Sequence, residues 1–368
     1  MCYSAETCAI INNKEKLQQN ALFWIWLIGS RPDVQDIGTE KNLSGSGEKG
    51  SVLKISGCVR CKAYRKEELM KKILVTGGTV FVSRYIAEYY VARGYEVYVL
   101  NRNSRPQSAG VKLIRADRHD LGEVLRSYYF DVVIDTAYTA QDVALLLNAL
   151  GGCGEYVLIS SSAVYPESGL QPFEEDEPLG VNRYWGKYGT DKIEAEQTLQ
   201  RRKPDAYILR PPYLYGPMND VYREAFVFEC ALKDRPFYLP GDGEMKLQFF
   251  HVHDLCRMID VILQRKPQQH IFNVGNPNTI SVRDWAALCY QTAGKQVRFI
   301  NMPKDIGQRK YFCFSDYEYV LDVSKQCEWL KDTRALRDGL RDAFVWYEQH
   351  ADQVERRPYI EYIMSLDR

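Results

Sequence analysis

The sequence predicts an α/β protein: a doubly wound parallel sheet followed by a smaller C-terminal lobe. Three observations carry that expectation. From residue 70 onward, short apolar runs alternate with helical patterns. The runs are apolar throughout rather than alternating with polar residues, as strands covered on both faces require. The first run ends in the pair Gly77-Gly78, which leads straight into a helical stretch.

Taken in order, Ile73–Thr76 is the first strand, and Phe81–Arg93 has a helical apolar spacing that stops at Gly94. Glu96–Leu100 and Lys112–Arg115 read as the second and third strands. The run Asp131–Asp135 is a fourth, Ala140–Leu150 is helical, and Tyr156–Ser160 is a fifth buried strand. Ala206–Arg210 follows another helix. Crossovers of this kind are right-handed, and ligands bind beyond the carboxyl ends of the strands. Residues 70–210 are therefore expected to form a dinucleotide-binding domain, and residues 211–368 mainly a substrate-binding lobe.

Composition narrows the possible functions. The 368 residues include 48 basic and 48 acidic side chains, for a formal net charge of zero. There is no global field to attract nucleic acid or anionic lipid. The early apolar run Ala21–Ile28 is far shorter than the ~20 residues of a membrane span, and no small-residue cleavage site follows it. Ten cysteines, those after residue 70 scattered through apolar contexts, suit a reduced cytoplasmic protein. Cys58-Val-Arg-Cys61 is half a zinc site without its other half. His251 and His253 alternate along an expected strand, but no third ligand follows, so no metal is expected. Composition shifts at Met70, after the linker-like Asn42–Gly50, and residues 1–69 are expected to be a non-native or disordered extension.

Several residues point to chemistry. The turn Thr76-Gly77-Gly78-Thr-Val-Phe81 could bring backbone N–H groups against a pyrophosphate, although Val80 and Ser83 stand where the usual spacing has glycine. The second strand ends in Asn101-Arg102, where an acidic residue would hold the ribose of NAD; an amide beside a guanidinium tilts toward NADP. Tyr188 and Lys192 are four apart in a helical stretch, so the ammonium lies beside the phenol and should lower its pKa. Such a tyrosine can exchange a proton with a sugar hydroxyl or a carbonyl oxygen. Ser160-Ser161-Ser162, at the end of a buried strand, can bond a substrate oxygen. Glu174–Glu177 reads as a solvated turn, and Tyr184, Tyr213 and Tyr215 as candidates to line the cleft.

Together, in this order, these motifs resemble the extended short-chain dehydrogenase/reductases and, more narrowly, the NAD-dependent epimerase/dehydratase family. The resemblance runs from Met70 to about Tyr347 and includes Arg210-Pro-Pro-Tyr-Leu-Tyr-Gly-Pro217, His251-Val-His-Asp-Leu255 and Phe272-Asn-Val-Gly275. It implies a Rossmann-type fold, NAD or NADP as cofactor, and a sugar or nucleotide-sugar substrate. It also implies transient hydride transfer through a keto intermediate, and a homodimer. Carried over by position, it makes Ser161, Tyr188 and Lys192 catalytic, with Lys192 also holding the nicotinamide ribose. Gly77, Gly78 and Phe81 would form the cofactor turn with Thr76. Asp117 would contact the adenine, and Pro212 and Tyr213 would lie near the nicotinamide.

The chain also departs from the family pattern. Tyr213 stands where nucleotide-sugar enzymes carry Asn, and Leu247-Gln248 where they carry Arg-Asp. The arginine of that pair clamps a substrate phosphate, so its loss questions a nucleotide-sugar substrate. Lys246 and Arg309 are possible substitutes. Two alternatives follow: an NADPH-consuming reductase, or a non-catalytic dinucleotide- or RNA-binding relative. Balanced charge argues against the RNA-binding one.

Overall fold

The computed structural model of the chain describes residues 71–366 except 168 and 304. The expected extension over residues 1–69 and the Cys58–Cys61 pair lie outside the described residues.

Strands β1 (Lys72–Thr76), β2 (Glu96–Asn101), β3 (Lys112–Arg115), β4 (Phe130–Asp135), β5 (Cys153–Ile159) and β6 (Tyr207–Arg210) agree with the expected runs to within a few residues. The small lobe strands are β7 (Tyr213–Tyr215), β8 (Phe237–Pro240), β9 (Lys246–Leu247) and β10 (Phe249–His251). A further strand, β11 (Ile271–Asn273), arrives from well past residue 210 and pairs with β6. The sheet has seven parallel strands in the order β11-β6-β5-β4-β1-β2-β3. The order reverses between β1 and β4, and a ligand crevice opens at that switch point.

The period of two along β1 decides which layer each side chain joins. Ile73 and Val75 pack on one face with α1 (Phe81–Ala92), while Leu74 packs on the other with α2 (Ala140–Ala149) and α3 (Lys187–Arg202). The first face is completed by Leu255, Met258, Ile259 and Ile262 of a later helix, Val252–Arg265. These strands are buried on both faces, which is why they read as continuous apolar runs. Thr139 opens α2 with a capping box through Asp142.

The remaining chain forms a lobe with its own aromatic core. Trp285 is fully buried and stacks on Phe249 at 5.7 Å between ring centroids. Phe312, Phe314 and Phe237 fill the space around it. Three two-stranded pairings organise this lobe: β7 with β10, β9 with Ile280–Ser281, and β8 with Phe299–Met302.

Two expectations need correction. His251 and His253 do not share a strand face: His251 ends β10 and caps the helix beginning at Val252, accepting a hydrogen bond from the His253 backbone N–H. Glu174–Glu177 is not simply a solvated turn. Glu175 is buried, accepts from the Asn273 backbone N–H at 3.0 Å and pairs with Lys325 at 2.9 Å. Its two neighbours from distant segments were invisible at the level of local composition.

Candidate active site

A cavity of about 390 Å³ opens at the carboxyl ends of β1, β4, β5 and β6. Of the residues singled out from the sequence, Phe81, Ser160, Ser161, Ser162, Tyr188, Lys192, Pro212 and Tyr213 line it. Residues 107 positions apart (Phe81 and Tyr188) thus meet because parallel strands end on one edge and their following loops share that edge.

The buried strand β5 ends at Ile159, and Ser161 then caps a short 3₁₀ turn, Ser162–Val164, through its own hydroxyl. That hydroxyl also hydrogen-bonds Tyr188. Tyr188 sits in the first turn of α3, is 38% exposed as a residue and lines the cavity. Helical spacing places Lys192 one turn further on, but not as expected from the i,i+4 relation alone. Its Nζ donates to the backbone carbonyls of Ala137 (2.6 Å) and Ile159 (2.9 Å) and lies 5.9 Å from the Tyr188 ring centroid. Burial pushes the Lys192 pKa down to about 8. Desolvation raises the pKa of Tyr188, and the bond with Ser161 only partly offsets this. The expected lowering of the Tyr188 pKa by Lys192 is therefore absent: two carbonyls hold the ammonium, and the phenol rests protonated.

The glycine turn fits a dinucleotide. Gly77 and Gly78 have φ of +86° and +85°, the left-handed region that favours glycine, just ahead of α1; the Gly77 N–H donates to the Leu100 carbonyl at 2.9 Å, which leaves the N–H of Gly78 for a phosphate. A Cβ on Gly78 would overlap the Val99 side chain, so the backbone lies tight against β2. The missing third glycine is replaced by Ser83, whose hydroxyl folds back to the Val80 carbonyl at 3.0 Å.

Thr76 and Asn101 support this turn. Thr76 donates to buried Asp135 at 2.8 Å and accepts from the Thr136 N–H at 2.9 Å, tying β1 to β4. Asn101 donates to the Gly77 carbonyl at 2.6 Å. Arg102 is 73% exposed and approaches Asp117 only to 3.9 Å, leaving its guanidinium open to an anion. Asp117 accepts from the His119 backbone N–H within its own turn.

Several lining residues carried no clear sequence signal. Tyr138 lies beside Tyr188, with centroids 5.9 Å apart, and its ring is 5.0 Å from the Lys192 ammonium. Tyr319, unmarked in the sequence, packs on Tyr213 with ring centroids 5.4 Å apart. Trp185 and Arg223 also line the cavity. Of the three tyrosines proposed for the cleft, only Tyr213 lines it. Tyr184 stacks on Tyr317, and Tyr215 is buried against His251.

The motif position of the phosphate clamp is closed. Leu247 is buried, and Gln248 donates to the Asn276 and Leu321 carbonyls while accepting from the Leu321 N–H. Neither suggested substitute enters the cavity: Lys246 faces Glu244, and Arg309 lines a separate depression with Lys310 and Arg357.

Comparison with known proteins agrees with this architecture. The chloroplast stem-loop binding protein of 41 kDa b from Arabidopsis thaliana is 29% identical over 301 residues, covering 74% of this chain and 78% of the relative. A dTDP-4-dehydro-6-deoxy-D-allose reductase from a Streptomyces species is 26% identical over 325 residues, covering 76% and 97%. Among solved structures, a UDP-glucose 4-epimerase from Thermotoga maritima, determined with UDP-glucose, shares the fold with a TM-score of 0.63. It is 20% identical, over 76% of this chain and 99% of that one. The model of the NAD dependent epimerase/dehydratase family matches residues 73–275. With the sheet order, the glycine turn and this match in agreement, the chain belongs to the NAD-dependent epimerase/dehydratase family of extended short-chain dehydrogenase/reductases.

Proposed function

We propose that the protein is an NAD(P)-dependent oxidoreductase acting at a hydroxyl or carbonyl of a sugar-type substrate, with Ser161, Tyr188 and Lys192 as its catalytic residues. The observation that carries this is their convergence, with Phe81 and Pro212, on one cavity at the switch point of the sheet.

A bound nicotinamide supplies the two-electron donor or acceptor. Tyr188 moves the proton: its hydroxyl lies at the cavity wall and gives a proton to a carbonyl oxygen or takes one from a hydroxyl. Ser161, bonded to that hydroxyl, holds the same substrate oxygen in line. Lys192 supplies positive charge beneath the phenol, fixed by two carbonyls. Gly78, whose N–H follows the turn, faces the pyrophosphate, Gly77 ties the turn to β2 through the Leu100 carbonyl, and Asp117 borders the adenine end.

Two observations favour the reducing direction with NADPH. The protonated resting state of Tyr188 suits a proton donor. Open Arg102 beside neutral Asn101 suits a 2′-phosphate.

Denaturing the purified full chain and identifying any released dinucleotide by mass spectrometry tests the reading, together with titration by NADPH and NADH. Retained NAD supports an enzyme that recycles its cofactor, and preferential binding of NADPH supports the exchanging reductase. Failure to bind either cofactor would sink the enzymatic reading and leave a non-catalytic relative. In Tyr188→Phe, turnover should fall roughly 100-fold or more with cofactor affinity unchanged; undiminished turnover would refute the assignment of Tyr188.

A further inference from the structure

Beyond the glycine turn, the substrate half of the cavity has an unbalanced charge. Its lining includes two cations, Lys192 and Arg223, and among the described lining residues no carboxylate. Lys192 is satisfied by two backbone carbonyls. Arg223 is not comparably engaged. Its guanidinium makes one long hydrogen bond, 3.3 Å to the Leu214 carbonyl, and lies 5.1 Å from the Tyr213 ring centroid. It forms no ion pair among the described residues. A half-buried guanidinium has five donors, so most of this fork is left for a ligand.

The acidic neighbours of Arg223, Glu224 and Asp220, are within its electrostatic reach but make no ion pair with it. Glu224, its chain neighbour, is buried and turned inward, accepting from Asn219 Nδ2 at 2.8 Å and from the Gly216 N–H. Burial raises the pKa of Glu224, which weakens any charge there. Asp220 is within electrostatic reach and is likewise raised by burial, with Glu355 adding to the rise and Arg105 opposing it. The field of Arg223 acts on Asp220 and Glu224 and reaches the cavity groups as well: it lowers the pKa of Tyr188, Tyr213 and Tyr319 against the larger effect of burial.

The geometry around Arg223 also limits the size of what it binds. The wall beside it consists of Tyr213, packed on Phe314 at 4.5 Å and Tyr319 at 5.4 Å, and the position of the family's phosphate clamp is sealed by Leu247 and Gln248. The clamp position thus offers no place for an anion, whereas Arg223 lines the same cavity as Ser161, Tyr188 and Lys192.

We propose that Arg223 is the anion-binding residue of this cavity and that the substrate is a small molecule carrying an oxyanion, a carboxylate or a phosphate, close to its reacting hydroxyl or carbonyl. The inference names the substrate class of the site proposed above and rests on that reading for the word substrate, but its test does not require turnover.

Inorganic phosphate, acetate and UDP are titrated by calorimetry into wild type, Arg223→Gln and Arg223→Lys, each with and without saturating NADPH. Melting temperature and NADPH affinity, measured in parallel, verify that each variant is folded. Saturable binding of phosphate or acetate is expected in wild type, roughly tenfold or more weaker in Arg223→Gln and partly retained in Arg223→Lys. Whichever of the two anions binds tighter identifies the group. Absence of saturable binding by both, equal binding in Arg223→Gln, or tight UDP binding that is indifferent to Arg223 would each overturn the proposal. Loss of NADPH binding with anion binding intact would instead count against the oxidoreductase reading alone.

Discussion

At the residue scale, Lys192 shows how burial sets function. Its folded pKa of about 8 lies below its ordinary 10.5. Between these values the folded chain binds fewer protons than the unfolded one, so stability rises with pH there. The cost of burying the cation is fully present below pH 8 and is relieved as pH approaches 10.5. Catalysis should run the other way. The charge beneath Tyr188 is lost as pH rises through about 8, so kcat/KM, which reports the free enzyme, should fall across that range. In Lys192→Arg the limb near pH 8 should be missing from whatever activity remains, because a guanidinium stays charged. A limb unchanged in that variant would assign it to another group. Gly78 offers a second test at this scale. Its positive φ and its approach to Val99 mean that Gly78→Ala should weaken NADPH binding and lower the melting temperature together, measured by titration and thermal unfolding.

At the element scale, β6 and α3 are joined by a buried ion pair that holds the helix carrying Tyr188 and Lys192 to the sheet. Arg210 on β6 donates through Nη2 to Glu196 on α3 at 2.7 Å, and both side chains are buried. The Arg210 Nη1 group reaches the Tyr165 hydroxyl and the Glu175 carbonyl, and Tyr165 in turn donates to Asn273 on β11. Removing one partner leaves the other charge buried, so Glu196→Gln should cost about 3–5 kcal/mol in denaturant unfolding. A loss below about 1 kcal/mol would show that the surrounding network can satisfy Arg210 without the carboxylate. Elements were also where the sequence was most legible. Strands β1, β2, β4, β5 and β6 and the first helix were marked by apolar runs and glycine stops, which are local properties, whereas the edge strand β3, Lys-Leu-Ile-Arg, is half charged. The short strands β7, β9 and β10 were not marked, because two- and three-residue pairings carry no periodicity of their own and exist only where a neighbour offers hydrogen bonds.

At the scale of the whole molecule, the cofactor turn and the aromatic lobe meet around one cavity, so binding on one side should stabilise the described unit. With free NADPH at 100 times its Kd, linkage adds about 2.7 kcal/mol, which should raise the melting temperature by several degrees. The rise should vanish in Gly78→Val. An equal rise in that variant would place the nucleotide elsewhere.

Sequence alone determined the parallel sheet and its glycine turn and set Tyr188 and Lys192 one helical turn apart, while Ser161 was singled out through the resemblance to the family. These depend on hydrophobic period, turn conformation and motif spacing, all of which are written along the chain. Tertiary structure decided what stands beside them. Tyr319 and Arg223 reach the cavity from segments whose local patterns say nothing of a site. Lys192 meets the carbonyls of Ala137 and Ile159, 55 and 33 residues away, instead of simply pairing with Tyr188. Desolvation and charge depend on distance in space, so the protonation of the site and the place open to an anion were fixed only when the chain had folded.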